Sequence, residues 1–123
     1  MTGVLVGRAA SAGCYRGFAQ VCRTGAEVDA VPPGCVLVVE TALVGHAAAF
    51  ARIGALVAEH GGILGSCLTV AREQRLPAVV GVEAATKLIR SGDQILVDGT
   101  RGIVVRAAGT GKQEILAAGR PRE

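Results

Sequence analysis

The sequence predicts an α/β domain in which a parallel segment is flanked by antiparallel strands. Three observations carry this: short apolar runs between glycine and proline turns in the first third, alternating helix-like and strand-like stretches in the middle, and a hairpin pattern near the end. Half of the 123 residues are apolar, which is enough to bury a core without disulfides or metal. No linker, repeat or composition break divides residues 1–123, so one domain is expected.

Taken in order, "VLVG" (4–7) reads as a strand, "SAGCYRG" (11–17) as a turn, "FAQVC" (18–22) as a strand, "VPPG" (31–34) as a turn and "CVLVV" (35–39) as a strand. The Ala-rich "ALVGHAAAFARIG" (42–54) predicts a helix closed by glycine, and "ALVAEHGG" (55–62) a buried strand running into a glycine turn. A second helix is expected from Ser66 to Gln74, with Ser66 as its N-cap. "PAVVG" (77–81) is a short buried strand, "EAATKLIRSG" (83–92) a third helix, and "QILVDGTRGIVV" (94–105) a hairpin turning at Asp98-Gly99. "KQEILAAG" (112–119) reads as a last strand or a tail.

Composition excludes several classes. The net charge of +3 is spread thinly and only 2% of residues are aromatic, so nucleic-acid binding is not expected. Charged residues and glycines interrupt every apolar run before it reaches membrane-spanning length. Cys14, Cys22, Cys35 and Cys67 form no CxxC pair and no apolar leader is visible, which points to reduced thiols in a cytoplasmic protein. His46 and His60 lie far apart and outside any Cys/His cluster, so no metal site and no cofactor are expected. "GTGK" (109–112) lacks the first glycine and the following Ser or Thr of a phosphate loop.

Five stretches, in order and at compatible spacing, resemble the mobile phosphohistidine domain of phosphoenolpyruvate-utilising enzymes. This family includes pyruvate phosphate dikinase, phosphoenolpyruvate synthase, rifampin phosphotransferase and Enzyme I of the sugar phosphotransferase system. The stretches are "LVGRAASAGCYRGFAQV", "PPGCVLVVET", "ALVAEHGG", "AREQRLPAVVGVEAAT" and "IRSGDQILVDGTRGIVV". The resemblance implies a swivelling β/β/α fold, a mixed parallel and antiparallel sheet packed with about three helices. It also implies a carrier loop of the form G-G-x-x-S-H-x-A-I-x-A-R-E, whose histidine takes up a phosphoryl group.

Here this sequence departs from the family. A gapless match on Gly61-Gly62 and Ala71-Arg72-Glu73 places Gly65 at the signature's serine and Ser66 at its histidine, with Cys67 next. Sliding the match to put Cys67 at the histidine requires a deletion within the helix, which rotates every later side chain by about 100°. The region "TALVGHAAAF" also lacks the prolines of the family's T-x-P-x-x-x-P-L stretch.

The loop keeps the physics of an anion site. Glycines permit close backbone approach, and a helix beginning near Ser66 aims unpaired amides at a small anionic ligand. Gly61, Gly62, Gly65 and Arg72 are the expected anion-binding residues, Arg72 by its forked donors. Ser66, Cys67 and His60 are the candidates for chemistry: a serine phosphate is a stable ester, a thiol at a helix N-terminus is activated as a nucleophile, and His60 is the nearest imidazole. Each has a plainer reading, as cap, small hydrophobe and solvated strand end respectively.

Three functions stay open. The chain is a free-standing carrier or accessory subunit that works with separately encoded nucleotide-binding or acceptor partners, or with a second copy of itself. Alternatively it is a small enzyme using the anion pocket with Cys67 or His60, or a structural or regulatory module that has kept the fold and lost the chemistry.

Overall fold

The computed structural model describes residues 2–41, 47–60 and 65–107; for residues 2, 25, 41, 47, 65–68 and 107 the description is of backbone only. The elements are β1 (Thr2–Val6), β2 (Arg8–Ser11), β3 (Cys14–Cys22), α1 (Gly25–Asp29), β4 (Val36–Thr41), α2 (Ala47–Phe50), β5 (Ala55–His60), α3 (Gly65–Glu73), β6 (Ala78–Val80), α4 (Ala85–Leu88), β7 (Gln94–Asp98) and β8 (Ile103–Ala107).

The strands run in the order β1-β8-β7-β3-β4-β5-β6-β2. The nine-residue β3 joins two regions. Its first half pairs antiparallel with β7 through Cys14–Phe18, and its second half pairs parallel with β4 through Ala19–Cys22. From there β4, β5 and β6 continue in parallel, while β1, β8 and β7 form an antiparallel meander. The expected parallel segment flanked by antiparallel strands is present, mixed in one sheet order with four short helices among the described residues.

Strands β1 and β2 stand at opposite ends of this order, yet a single residue, Gly7, separates them. The sheet therefore folds back into two layers. A side chain at Gly7 has no room: a Cβ there would lie 2.4 Å from the Val80 carbonyl oxygen and within 3 Å of Val79 and Val82.

Alternation along β4 and β5 divides the core. Val36, Val38, Ala55 and Val57 face Ile95, Val97 and Val104 of the antiparallel layer. Leu37, Val39, Leu56 and Ala58 face the opposite way, against Val28, Phe50, Ala71 and Leu76. Strands buried on both faces need continuous apolar sequence, which "VLVV" and "ALVA" supply. The result is a β/β/α arrangement with α1, α2 and α3 over one face and α4 beside β4 and β5 on the other.

Several boundaries differ from the sequence expectation. The turn read over 11–17 is brief, because β3 already begins at Cys14. Helix α1 was not expected; a reciprocal cap makes it, with the Glu27 amide donating to Thr24 Oγ1 at 3.2 Å and Glu27 Oε1 accepting from the Arg23 and Thr24 amides. Helix α4 spans only four residues and follows Ala84 at φ 59. The predicted hairpin forms, and Asp98 acts as its Asx residue, its Oδ1 accepting from the amides of Thr100 and Arg101 at 3.1 and 3.0 Å. Residues 112–119, read as a strand or tail, lie outside the described residues.

Candidate functional site

The glycine-led segment after β5 leads from the C-terminal end of a buried parallel strand to the start of α3. Its residues 61–64 fall outside the described residues, so Gly61 and Gly62 carry no structural account. The backbone of Ser66 and Cys67 lies in α3, whose described residues begin at Gly65. Ser66 thus stands inside the helix and not at the N-cap position expected from sequence.

Arg72 occupies the other end of α3. Six residues at 1.5 Å rise place it about 9 Å along the axis from Ser66. Its Nε donates to the Ala10 carbonyl at 2.8 Å, tying α3 to the end of β2. Together with Arg75 it borders an open cleft of about 520 Å³ whose other wall is the backbone turn Ala10–Gly13. Arg72 thus lies more than one helical turn along α3 from Ser66.

His60 is exposed at the end of β5. Its neighbours were not singled out from sequence. Glu59 precedes it, and Glu40 on β4 lies beside Glu59, because Val39 pairs with Ala58 and Thr41 with His60. Glu59 Oε2 accepts from the Thr86 amide at 2.7 Å and from the Thr86 hydroxyl at 2.5 Å. Partial burial opposes charge on Glu59, but these two bonds, with His60 and Lys87 nearby, outweigh it and hold the carboxyl below its ordinary range. Glu40, Glu59 and His60 were legible as residues but not as a group. Nineteen positions separate the two glutamates, and only strand pairing unites them. His46 lies outside the described residues.

The described thiols are not activated. Burial raises Cys22 and brings Cys35 to about 11, with the nearby Cys22 contributing at Cys35. Exposed Cys14 is also raised, first by partial burial and then by the charge of Asp98 and its hydrogen bond. Among the described residues no helix is long and apolar enough to cross a membrane.

A β/β/α domain in which a buried parallel strand is followed by a helix across a glycine-led stretch of sequence defines a class, the swivelling domain. Residues 31–102 match the sequence profile of the PEP-utilising enzyme mobile domain, and the chain belongs to this family. It is 41% identical over 100 residues to chondramide synthase of Chondromyces crocatus, covering 81% of this chain and 3% of that protein. It is 38% identical over 103 residues to a probable phosphoenolpyruvate synthase of Pyrococcus abyssi, covering 84% and 13%. It is 43% identical over 102 residues to a rifampicin phosphotransferase of a Streptomyces species, covering 83% and 12%. The chain thus corresponds to a small part of each relative.

Solved structures agree on the fold. A solution structure of Enzyme I aligns with TM-score 0.61 at 21% identity, over 74% of this chain and 38% of that one. A chain of holo aconitase X from Thermococcus kodakaraensis aligns with TM-score 0.68 at 20% identity, over 85% of this chain and 98% of that one.

Proposed function

We propose that this chain acts as a diverged mobile domain, a free-standing carrier or accessory subunit that presents the first turn of α3 to separately encoded nucleotide-binding or acceptor partners. The observation that carries this reading is that Ser66 and Cys67 lie in α3, the helix that follows β5, in a chain of the PEP-utilising family. In the gapless match Ser66 holds the place of the phosphoryl-accepting histidine and Cys67 the next. Amides in that turn favour an anion, consistent with a phosphorylated ligand or side chain.

The replacement changes the chemistry. A phosphoryl group on Ser66 Oγ forms an ester once the hydroxyl proton leaves, and this ester is far less prone to pass the group on than a phosphoramidate. An accessory or regulatory carrier, modified at Ser66, fits that stability better than a rapid shuttle. The test is intact mass after incubation with ATP or phosphoenolpyruvate and the candidate partner. Wild type is expected to gain one phosphoryl group, Ser66→Ala none, and Cys67→Ser one. An unmodified wild type under every condition rejects the carrier reading in its phosphoryl form.

A second reading, a small enzyme acting through Cys67 or His60, draws on the two carboxylates that stand beside His60. The aconitase X chain, covered over nearly its whole length, supports the fold's use as a chain of its own. A normal thiol pKa at Cys67, measured as alkylation rate against pH, would remove its thiolate version.

A further inference from the structure

The geometry points to a divalent transition-metal site formed by Glu40, Glu59 and His60, and we propose it as a binding site for Zn²⁺ or a similar first-row cation. One ligand atom from each residue lies within 4.8 Å of the other two. Three donors at about 2.1 Å from one tetrahedral cation stand about 3.4 Å apart, so binding draws the widest pair together by up to about 1.4 Å. Glu40 and His60 are exposed side chains that can make this adjustment.

Two independent features distinguish the group from a chance acidic patch. The first is its construction. Glu40 and Glu59 are neighbours on paired parallel strands, fixed by the flanking pairs Val39 with Ala58 and Thr41 with His60. Like charges held side by side across strands destabilise a sheet, and a shared dication reverses the sign of that interaction. The second is the support behind Glu59. Thr86, only 8% exposed, fixes the Glu59 carboxylate by donating to Oε2 from both its amide and its hydroxyl. Ligating carboxylates are held in this way by outer partners. The Arg23 guanidinium in turn donates to the Thr86 carbonyl at 3.0 Å, anchoring the support to the end of β3.

The donor set selects the ion. Two carboxylate oxygens and one imidazole nitrogen suit Zn²⁺, Co²⁺ or Mn²⁺, whereas Mg²⁺ and Ca²⁺ prefer all-oxygen shells. Three protein donors leave a coordination position open for water or an anionic ligand. The inference does not depend on phosphoryl carriage, and its failure leaves that reading intact.

Calorimetric titration of the full chain with Zn²⁺ at neutral pH tests it. One Zn²⁺ per chain is expected at micromolar affinity, with Mg²⁺ much weaker. Glu40→Gln and His60→Ala should each weaken Zn²⁺ at least about tenfold, and Thr86→Val, as a positioning change, by about tenfold or more. Circular dichroism should be unchanged in the first two, since both side chains are exposed. Cys14→Ser and Cys67→Ser should leave binding as it is, and the Co²⁺ form should lack a thiolate charge-transfer band. Absence of binding at millimolar Zn²⁺, full affinity in both Glu40→Gln and His60→Ala, or loss of binding in a cysteine variant would each overturn the site.

Discussion

Thr86 organises the charged edge of the molecule. Its hydroxyl and amide both serve one oxygen of Glu59, from a position 27 residues away in sequence. Hydrogen bonds to a charged group contribute about 1.5–3 kcal/mol, so Thr86→Val, which removes the hydroxyl bond alone, should lower unfolding free energy by about 2 kcal/mol at neutral pH. The folded pKa of Glu59 is depressed from 4.5, so this contribution is complete above the unfolded value and fades as pH falls through the folded one. Urea unfolding across that range should show wild type and Thr86→Val converging in acid; a constant gap would contradict the assignment. The cysteines give a second expectation. In native protein Cys22 and Cys35, both buried and with raised pKa, should resist alkylation until the chain unfolds, while Cys14 reacts more slowly than a free thiol. Peptide mass mapping of timed alkylation reads this directly.

Among the elements, the buried parallel strands were the most legible. "VLVV" and "ALVA" are unbroken apolar runs because both faces of β4 and β5 are covered. The hairpin was legible from Asp98-Gly99, whose aspartate caps the turn as its position suggests. Helix α1 escaped, although Thr24-x-x-Glu27 ahead of Val28 is a capping-box signal; five residues are too few to show a helical period. Thr24→Ala should cost about 1 kcal/mol, measurable as a lower urea midpoint with an unchanged slope. In the candidate site, the helix carrying Ser66 was visible from its sequence to within a residue. The Glu40, Glu59 and His60 group was not, since periodicity says nothing about which strands become neighbours.

At the scale of the whole molecule, closure of the two β layers depends on chain crossings with no space for side chains. Gly99 follows β7 where a Cβ would meet the Ser11 carbonyl oxygen at 1.9 Å and the Ala78 amide nitrogen at 2.9 Å. These are backbone atoms of β2 and β6, which cannot move aside independently. Gly99→Ala should therefore destabilise by about 2–3 kcal/mol, seen as a lower thermal midpoint, and an unshifted midpoint would mean that the layers close with more slack than these distances allow. The same architecture places α3 after the end of the buried strand β5.

On the function proposed above, Ser66 and not Cys67 stands at the place of the family's phosphoryl-accepting histidine. Intact mass and acid lability of Ser66→His and Cys67→His, after incubation with phosphoenolpyruvate and a phosphoenolpyruvate synthase of the family, decide between the two. An acid-labile phosphoryl group on Ser66→His alone is the predicted result; a phosphoryl group on Cys67→His alone, or on neither, would contradict it.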